Sequence, residues 1–588
     1  HCALGGGSND FIVTSTLASQ APPAVGRALG IKLSNGLNLS DGAKFPNDAV
    51  SYVSVGDGSV NNAHFLAAMN LAEYAQHRGF KCPVVFGISD NGLCISLKGH
   101  GWIDKFFENR FGMATFACDG NDMADVYRAS TAAVEFSRAK GVPCAVIFKN
   151  LTRRFGHAAT DRQFAYLEGQ EIESAATENA LAGACHRAVK EGIVTYPDLV
   201  DAFENFDSMI FKSFAVAAKE PKVTSRKVCI SRNSQPLAKV PKKRGRKKAG
   251  VDDDEKPQVM RKHMTRVFEE QLQNNDDIVY IGEDVQHGGY YLVTEGLHKK
   301  FPLRVADFPP DETTLLGVAM GYSQVGMVPI VEIPYSKYLD CGADMFFEAV
   351  VSNWVSGGKA PNGMVIRLQG FDKGVFGGNF HTHNSLYLPP GLDVVAYSNG
   401  HDYVRGMRYA LHQARAGRVV MTVDSTDILN RRHVFDRDNR WMTKYPTELD
   451  NVLDFDTVIL HGDSKDKEEK DLAIVTYGNG VPTAMLAQQE LEGKNAFENV
   501  TVVDCPTLSA VPSQLKEILP QFRSVVFADV CKLGQHPHAG MITSLQQDGL
   551  LPGANWQSVA ASPTYNPLGN LVTFLSVDDI VEAAEKLA

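Results

Sequence analysis

Gly56-Asp57-Gly58-Ser59 and, some 34 residues later, Asn91-Gly92-Leu93 are the stretches whose residue types suit holding a metal and a phosphate together. A hard divalent cation such as magnesium takes oxygen ligands in octahedral geometry and often shares them with a phosphate. Asp57 offers a carboxylate, Asn91 an amide oxygen and Leu93 a main-chain carbonyl. The glycines let the backbone approach a diphosphate closely. A helix starting just after Gly58 would aim free N–H groups at the anion. Gly-Asp-Gly is also a common turn tripeptide, so the reading depends on the elements around it.

Those elements are legible as runs and periods. An apolar run over 51–55 leads into the turn, and Phe65, Leu66, Met69, Ala72 and Ala75 then recur at helical spacing. A second run, 83–88, ends at Ser89-Asp90-Asn91-Gly92, and a third, 144–149, ends just before Arg153. Short apolar strands alternating with amphipathic helices predict α/β units around a parallel sheet. In such sheets ligands sit beyond the carboxyl ends of the strands, where these polar turns fall. The rhythm resumes with runs at 278–281, 328–333, 364–368, 394–397 and 419–423. A final module repeats it at 472–476, 500–503 and 524–528.

Between the halves, residues 221–258 break the pattern. Lys242-Lys243-Arg244-Gly245-Arg246-Lys247-Lys248 precedes Asp252-Asp253-Asp254-Glu255 there, with few apolar residues. Such a composition cannot bury a core and reads as a flexible tether. Clustered cations also suit nucleic-acid phosphates, although a net charge of −10 over 588 residues argues against nucleic acid as the main partner. No run approaches the ~18 apolar residues of a membrane helix. Ten cysteines without a CxxC or CxxH cluster fit free thiols in a reducing compartment. The expected division is 1–220, a linker 221–258, 259–450 and 451–588.

Several motifs together resemble a known family. GDGSVNNAHFLAAMNLA and PVVFGISDNGLCIS resemble the magnesium–thiamine-diphosphate motif of the α subunit of 2-oxo acid dehydrogenases. CDGNDMADVYRAS (118–130) and TRRFGHAATD (152–161) continue the match. After the linker, IGEDVQHGGYY (281–291), RVADFPPDE (304–312), VEIPYSKYLDCGAD (331–344) and FHTHNS (380–385) resemble the β subunit, closest to the branched-chain type. The resemblance implies fused α-type and β-type components of a decarboxylating dehydrogenase. The implied fold is transketolase-like: two related parallel-sheet domains plus a transketolase C-terminal-like α/β domain.

The resemblance also implies a set of site residues. Asp57, Asn91 and the Leu93 carbonyl would hold Mg2+, while Gly56, Gly58, Ser59, Arg153, Leu17 and Tyr338 would line the thiamine diphosphate. Ser15, Thr16, Ser19 and Gln20 match a potassium site, within TSTLASQAPPAVG (14–26). Glu312 would engage the aminopyrimidine, with His157 and His383 as the active-site histidines. Each also has a plainer reading: Glu312 as a first-turn helix acid, His157 and His383 as solvated histidines, Tyr338 as core filling. The implied reaction converts a 2-oxo acid and passes the acyl group to a lipoyl-bearing dihydrolipoyl acyltransferase. In the family the cofactor lies between an α-type and a β-type half, so a homodimer equivalent to α2β2 is expected. The compartment is the mitochondrial matrix for a eukaryotic source and the cytoplasm otherwise; no targeting segment is visible.

Departures from the pattern set further expectations. Ala158 replaces the serine that follows the loop histidine, which removes phosphorylation there. Ser89 stands for an arginine, Leu93 for a tyrosine and Pro334 for a polar residue. The chain reaches Leu388-Pro389-Pro390-Gly391 early after His383. A front segment with an aromatic–arginine pair on the diphosphate has no counterpart before residue 10, so an incomplete α-type half is expected. Two other readings stay open. One is a thiamine-diphosphate enzyme of the transketolase type, separable by lipoyl acylation against ketol transfer. The other is a catalytically impaired relative kept for assembly.

Overall fold

A computed structural model of the chain describes residues 9–588 except 11–13, 109, 111, 234, 241–255, 372, 374–384, 463–469 and 568–570. The chain divides into two compact units, residues 1–35 with 44–234 and residues 36–43 with 235–588. His383 lies outside the described residues.

The first unit is built on a parallel sheet of β1 (Ser51–Gly56), β2 (Val84–Ser89), β3 (Ala114–Asp119) and β4 (Cys144–Lys149), in the order β1-β2-β4-β3. The first five residues of β2 and the first four of β4 are buried on both faces, which their unbroken apolar runs require. The outer strands β1 and β3 mostly alternate, with every second residue of β1 exposed. Helices α1 (Ala21–Gly36), α2 (Ala63–His77) and α3 (Met123–Lys140) accompany the sheet. α3 starts where the Asp122 carboxylate accepts from the N–H groups of Ala124 and Asp125, and it ends on left-handed Gly141.

The second unit contains two sheets. The first is fully parallel: β5 (Ile278–Gly282), β6 (Val305–Asp307), β7 (Val328–Ile333), β8 (Met364–Gly370), β9 (Leu392–Val395) and β10 (Val419–Ser425), in the order β9-β10-β8-β7-β5-β6. The second comprises β11 (Ile459–His461), β12 (Lys470–Thr476), β13 (Val500–Asp504), β14 (Phe522–Lys532) and β15 (Trp556–Ala561), in the order β11-β13-β12-β14-β15. Only β11 runs antiparallel to its neighbour. Met264, Phe268, Tyr280, Ile330, Val365 and Val420 belong to one continuous apolar core against the first sheet.

The stretch expected to be a tether has local order at its ends. Arg226–Asn233 is helical, and Ala238 exchanges hydrogen bonds with the Gln413 side chain. Four strands had no clear signal in the sequence: β3, β6, β11 and β15. β6 and β11 are three residues each, and β3 and β15 mix polar with apolar side chains.

One buried charge network ties the first sheet of unit 2 together. Arg367 on β8 is fully buried, with Nη1 2.7 Å from Glu332 of β7 and Nε 2.6 Å from Asp424 of β10. Gln369 donates to Glu332 at 3.2 Å, and the Tyr280 hydroxyl of β5 also donates to it. Burial pushes the Asp424 carboxyl up to about 6, against the pull of Arg367. Breaking a buried pair on one side strands the other charge and costs about 3–5 kcal/mol. Arg367→Met is therefore expected to lower unfolding stability by that order in urea titrations, and a loss below about 1 kcal/mol would show the network to be dispensable.

Candidate functional site

The first half-site follows from strand register. β1 and β2 are adjacent and parallel, with Gly56 opposite Ser89. Their carboxyl ends therefore deliver Asp57 and Asn91 to the same end of the sheet. The Leu93 N–H lies 3.0 Å from Asp57 Oδ2 and 2.9 Å from Asn91 Oδ1, so both side chains converge on one amide. Asp57 Oδ1 accepts from the Gly58 N–H at 2.8 Å. Asp90 Oδ1 accepts from Gly92 N–H at 3.0 Å. Burial raises the Asp90 carboxyl above its usual range, Gly92 N–H opposes this, and the negative charges of Asp57 and Asp104 add to it.

The glycines divide the work. A side chain on Gly58 would fall 2.1 Å from Cys94 Sγ, so this glycine lets the turn pack against the hairpin Leu93–Cys94/Leu97–Lys98. Gly92 is left-handed at φ +66° and faces the His100 ring. Nothing stands within 4 Å of the side-chain direction of Gly56, which leaves room there for a ligand. One expectation is corrected. No helix starts directly after Gly58: a 3-10 turn spans Asp57–Asn61, and α2 starts at Ala63. The cause is Asn62, whose side chain accepts from the His64 N–H and caps the helix there.

Ser59 is buried within that 3-10 turn. The segment carrying Ser15, Thr16, Leu17, Ser19 and Gln20 is pinned beside it. Gln20 Nε2 donates to the Ser54 carbonyl of β1 at 3.0 Å, and the Leu17 carbonyl lies 3.3 Å from His64 Nδ1 of α2. The Leu17 side chain itself is half exposed.

Arg153 and His157 belong to a loop organised by two residues not singled out from the sequence. Asp161 Oδ2 accepts from the His157 N–H and from the Tyr166 hydroxyl, both at 2.6 Å, and Arg153 Nη2 donates to that hydroxyl. These bonds, the Tyr166 hydroxyl first, hold the Asp161 carboxyl below the usual range. Arg153 Nη1 also donates to the Ile95 carbonyl at 2.9 Å, two residues past Leu93. The His157 side chain is exposed. Asp161 falls inside the 152–161 motif, so its position was readable although its role was not.

The second half-site lies at the carboxyl ends of β6, β5 and β7, three neighbouring strands. Glu312 is the first residue of α4 (Glu312–Gln324), a helix capped by Asp311 through Thr313 N–H. It is thus a first-turn acid, but a buried one, 6% exposed and without an ion-pair partner among the described residues. Burial, helped by the negative charge of Asp311, raises its carboxyl above the usual range. Gly342 makes the approach possible, since a side chain there would meet Glu312 Cβ at 2.9 Å. Tyr338 is half buried, and its ring packs edge-on against Tyr335 at 5.3 Å.

Glu283, directly after β5, was missed. Burial and the charges of Glu312, Asp284 and Glu332 push its carboxyl up to about 7. A half-buried carboxyl perturbed by burial and by a neighbouring acid at a strand end is a functional-site candidate. Among the described residues no group of three His, Cys, Asp or Glu side chains could hold a metal. The set Asp57, Asn91 and a main-chain oxygen is instead a hard, all-oxygen one, which fits a Mg2+-like cation bridging to phosphate. No helix among the described residues is long and apolar enough to cross a membrane, and the described cysteines are free.

Two stretches of the chain match known families. Residues 8–226 match the family described as "Dehydrogenase E1 component", and residues 256–425 match "Transketolase, pyrimidine binding domain". Pyruvate dehydrogenase E1 component subunit beta of Staphylococcus aureus (strain COL) is 28% identical over 335 residues, which are 54% of this chain and 94% of that protein. The same subunit of Staphylococcus epidermidis (strain ATCC 12228 / FDA PCI 1200) is 28% identical over 249 residues, 41% of this chain and 70% of that protein. Transketolase from Leishmania mexicana superposes with a TM-score of 0.58 at 14% identity, covering 98% of this chain and 81% of its own. A transketolase variant from Pichia stipitis superposes at 0.63, with 14% identity over 99% and 82%. The structural likeness establishes a transketolase-like α/β fold. With an α-type dehydrogenase domain followed by a β-type half on one polypeptide, the chain belongs to the thiamine-diphosphate-dependent 2-oxo acid dehydrogenase E1 family, its two components fused.

Proposed function

We propose that the chain decarboxylates a 2-oxo acid, a branched-chain one by preference, and passes the acyl group to the lipoyl arm of a dihydrolipoyl acyltransferase. The observation that carries the chemistry is the convergence of Asp57 and Asn91 on the Leu93 amide. The branched-chain preference rests on the sequence motifs of the β-type half. The transketolase-type alternative is disfavoured by the dehydrogenase domain at residues 8–226.

Decarboxylation needs somewhere to place an electron pair, which no side chain offers and bound thiamine diphosphate supplies. The residues of the chain hold and tune that group. Asp57, Asn91 and the Leu93 carbonyl would take Mg2+, and Gly56 and Arg153 would meet the diphosphate. Ser15, Thr16, Ser19 and Gln20 would hold K+, in a segment tied to β1 by the Gln20 bond to the Ser54 carbonyl. Glu312 would offer its carboxyl to the pyrimidine ring, with Tyr338 as the aromatic neighbour. A buried carboxyl with a raised pKa exchanges a proton with such a nitrogen more readily than a solvated one. His157, and His383 from its own segment, donate protons to developing oxyanions.

The exposed apolar side chains of the helix Tyr196–Ala217, Phe203, Phe206, Ile210 and Phe214 among them, support association into a homodimer. Ala158 leaves the His157 loop without a phosphorylatable residue at that position, and the loop is held by the Asp161 and Tyr166 hydrogen bonds.

The direct test supplies Mg2+, thiamine diphosphate, lipoylated acyltransferase and a panel of 2-oxo acids. Acyl-lipoyl product, greatest with a branched-chain acid, is expected, and Glu312→Gln should lower turnover by at least about a hundredfold. Ketol transfer without lipoyl acylation, or full activity in Glu312→Gln, would reject the assignment. A second expectation concerns pH. As pH rises through about 7 Glu283 loses its proton, and its new negative charge favours the protonated form of Glu312. The profile of kcat/KM should therefore carry an inflection near pH 7 that Glu283→Gln removes; an unchanged profile would separate Glu283 from the reaction.

A further inference from the structure

The second unit contains a cavity of about 560 Å³, lined by none of the half-site residues named above, whose lining includes His401, Arg440, Lys444, His461, Trp441 and Asp402. Arg440 and Lys444 bring two positive charges and His401 and His461 two imidazole rings, against one carboxylate. That carboxylate is already committed. Asp402 Oδ1 accepts from Arg405 at 3.0 Å and lies 3.3 Å from His401 Nδ1, while Oδ2 accepts from Asn399 Nδ2 at 2.7 Å. Arg440 and Lys444 have no carboxylate partner among the described residues; Arg440 lies only over the Phe435 ring, at 5.7 Å.

The loop that presents these cations is held in one shape. Residues 431–444 carry five Lys or Arg against Asp436 and Asp438. Asp438 is spent on the backbone, accepting from the N–H groups of Val434, Phe435 and Arg440 at 3.1–3.2 Å. Arg437 and Asn439 beside it adopt left-handed φ of 50° and 52°, which costs side-chain-bearing residues energy. Trp441 fixes the far end by donating Nε1–H to the Ser398 carbonyl at 3.1 Å, with its ring 6.4 Å from that of His461. His461 Nε2 is buried, 3.8 Å from Asp504 Oδ2, and lacks a hydrogen-bond partner among the described residues. The result is a preorganised, positively charged recess with unspent donors, in the size range of small-molecule sites.

We propose that this cavity binds a phosphate-bearing small molecule, with Arg440 and Lys444 as its main contacts. The proposal is independent of the decarboxylase reading. It is tested on the full chain with saturating Mg2+ and thiamine diphosphate present, by calorimetric titration with inorganic phosphate at low salt. Saturable binding with Kd of about 1 mM or tighter is expected. The double variant Arg440→Ala/Lys444→Ala, which alters exposed side chains, should weaken it by about tenfold or more with an unchanged melting temperature. Arg437→Ala removes a like charge from the same loop outside the cavity and should leave affinity within about twofold. Asp57→Ala should leave it unchanged. No saturable binding, equal affinity in the double variant, an equal loss in Arg437→Ala, or a loss confined to Asp57→Ala would each overturn the proposal.

Discussion

A single main-chain N–H, that of Leu93, draws in both the Asp57 carboxylate and the Asn91 amide oxygen, and the first half-site is arranged around it. Two oxygens of such charge and dipole stay together only if the strands behind them cannot slip. The six-residue parallel register from Ser51↔Val84 to Gly56↔Ser89 provides that. A slip of one residue would carry one oxygen donor to the opposite face of the sheet. Gly58 then lets the hairpin at Leu93–Cys94 close on the turn, and Arg153 secures the same hairpin through the Ile95 carbonyl. The loop bearing His157 is thereby hydrogen-bonded to the hairpin that bears Leu93.

The second half-site solves a different problem, that of keeping acidic side chains buried together in a sheet. Glu332 and Asp424 both pair with Arg367, whereas Glu312 and Glu283 have no ion-pair partner among the described residues. The contrast separates structure from chemistry. The paired carboxylates hold strands β7, β8 and β10, whereas the unpaired ones stand at the strand ends where ligands bind in parallel sheets.

Much of this was legible in the residues alone. Unbroken apolar runs mark strands buried on both faces, so the central strands were readable, and the polar turns after them located Asp57 and Asn91; Glu312 came only with the family resemblance, because the strand before it, β6, is three residues long. What escaped depends on neighbours distant in sequence. Glu283 sits in an ordinary Gly-Glu-Asp turn, and only the arrival of Glu312 and Glu332 perturbs it. Tyr166 reads as a surface tyrosine until the loop folds its hydroxyl between Arg153 and Asp161. The start of α2 was misplaced because Asn62, a local cap, outcompetes the glycine turn as the point where helical hydrogen bonding begins. β3 was missed because its outward side chains, Thr115 and Asp119 among them, interrupt the apolar run.

The central claim is that Asp57 and Asn91 form the metal end of a diphosphate site. Its most direct measurement is the affinity of the chain for thiamine diphosphate with and without Mg2+, in the native sequence and in Asp57→Ala. Binding that strengthens by at least about tenfold with Mg2+, and loses that gain in Asp57→Ala, is the predicted result. Affinity that is indifferent to Mg2+, or a metal effect that survives Asp57→Ala, would contradict it.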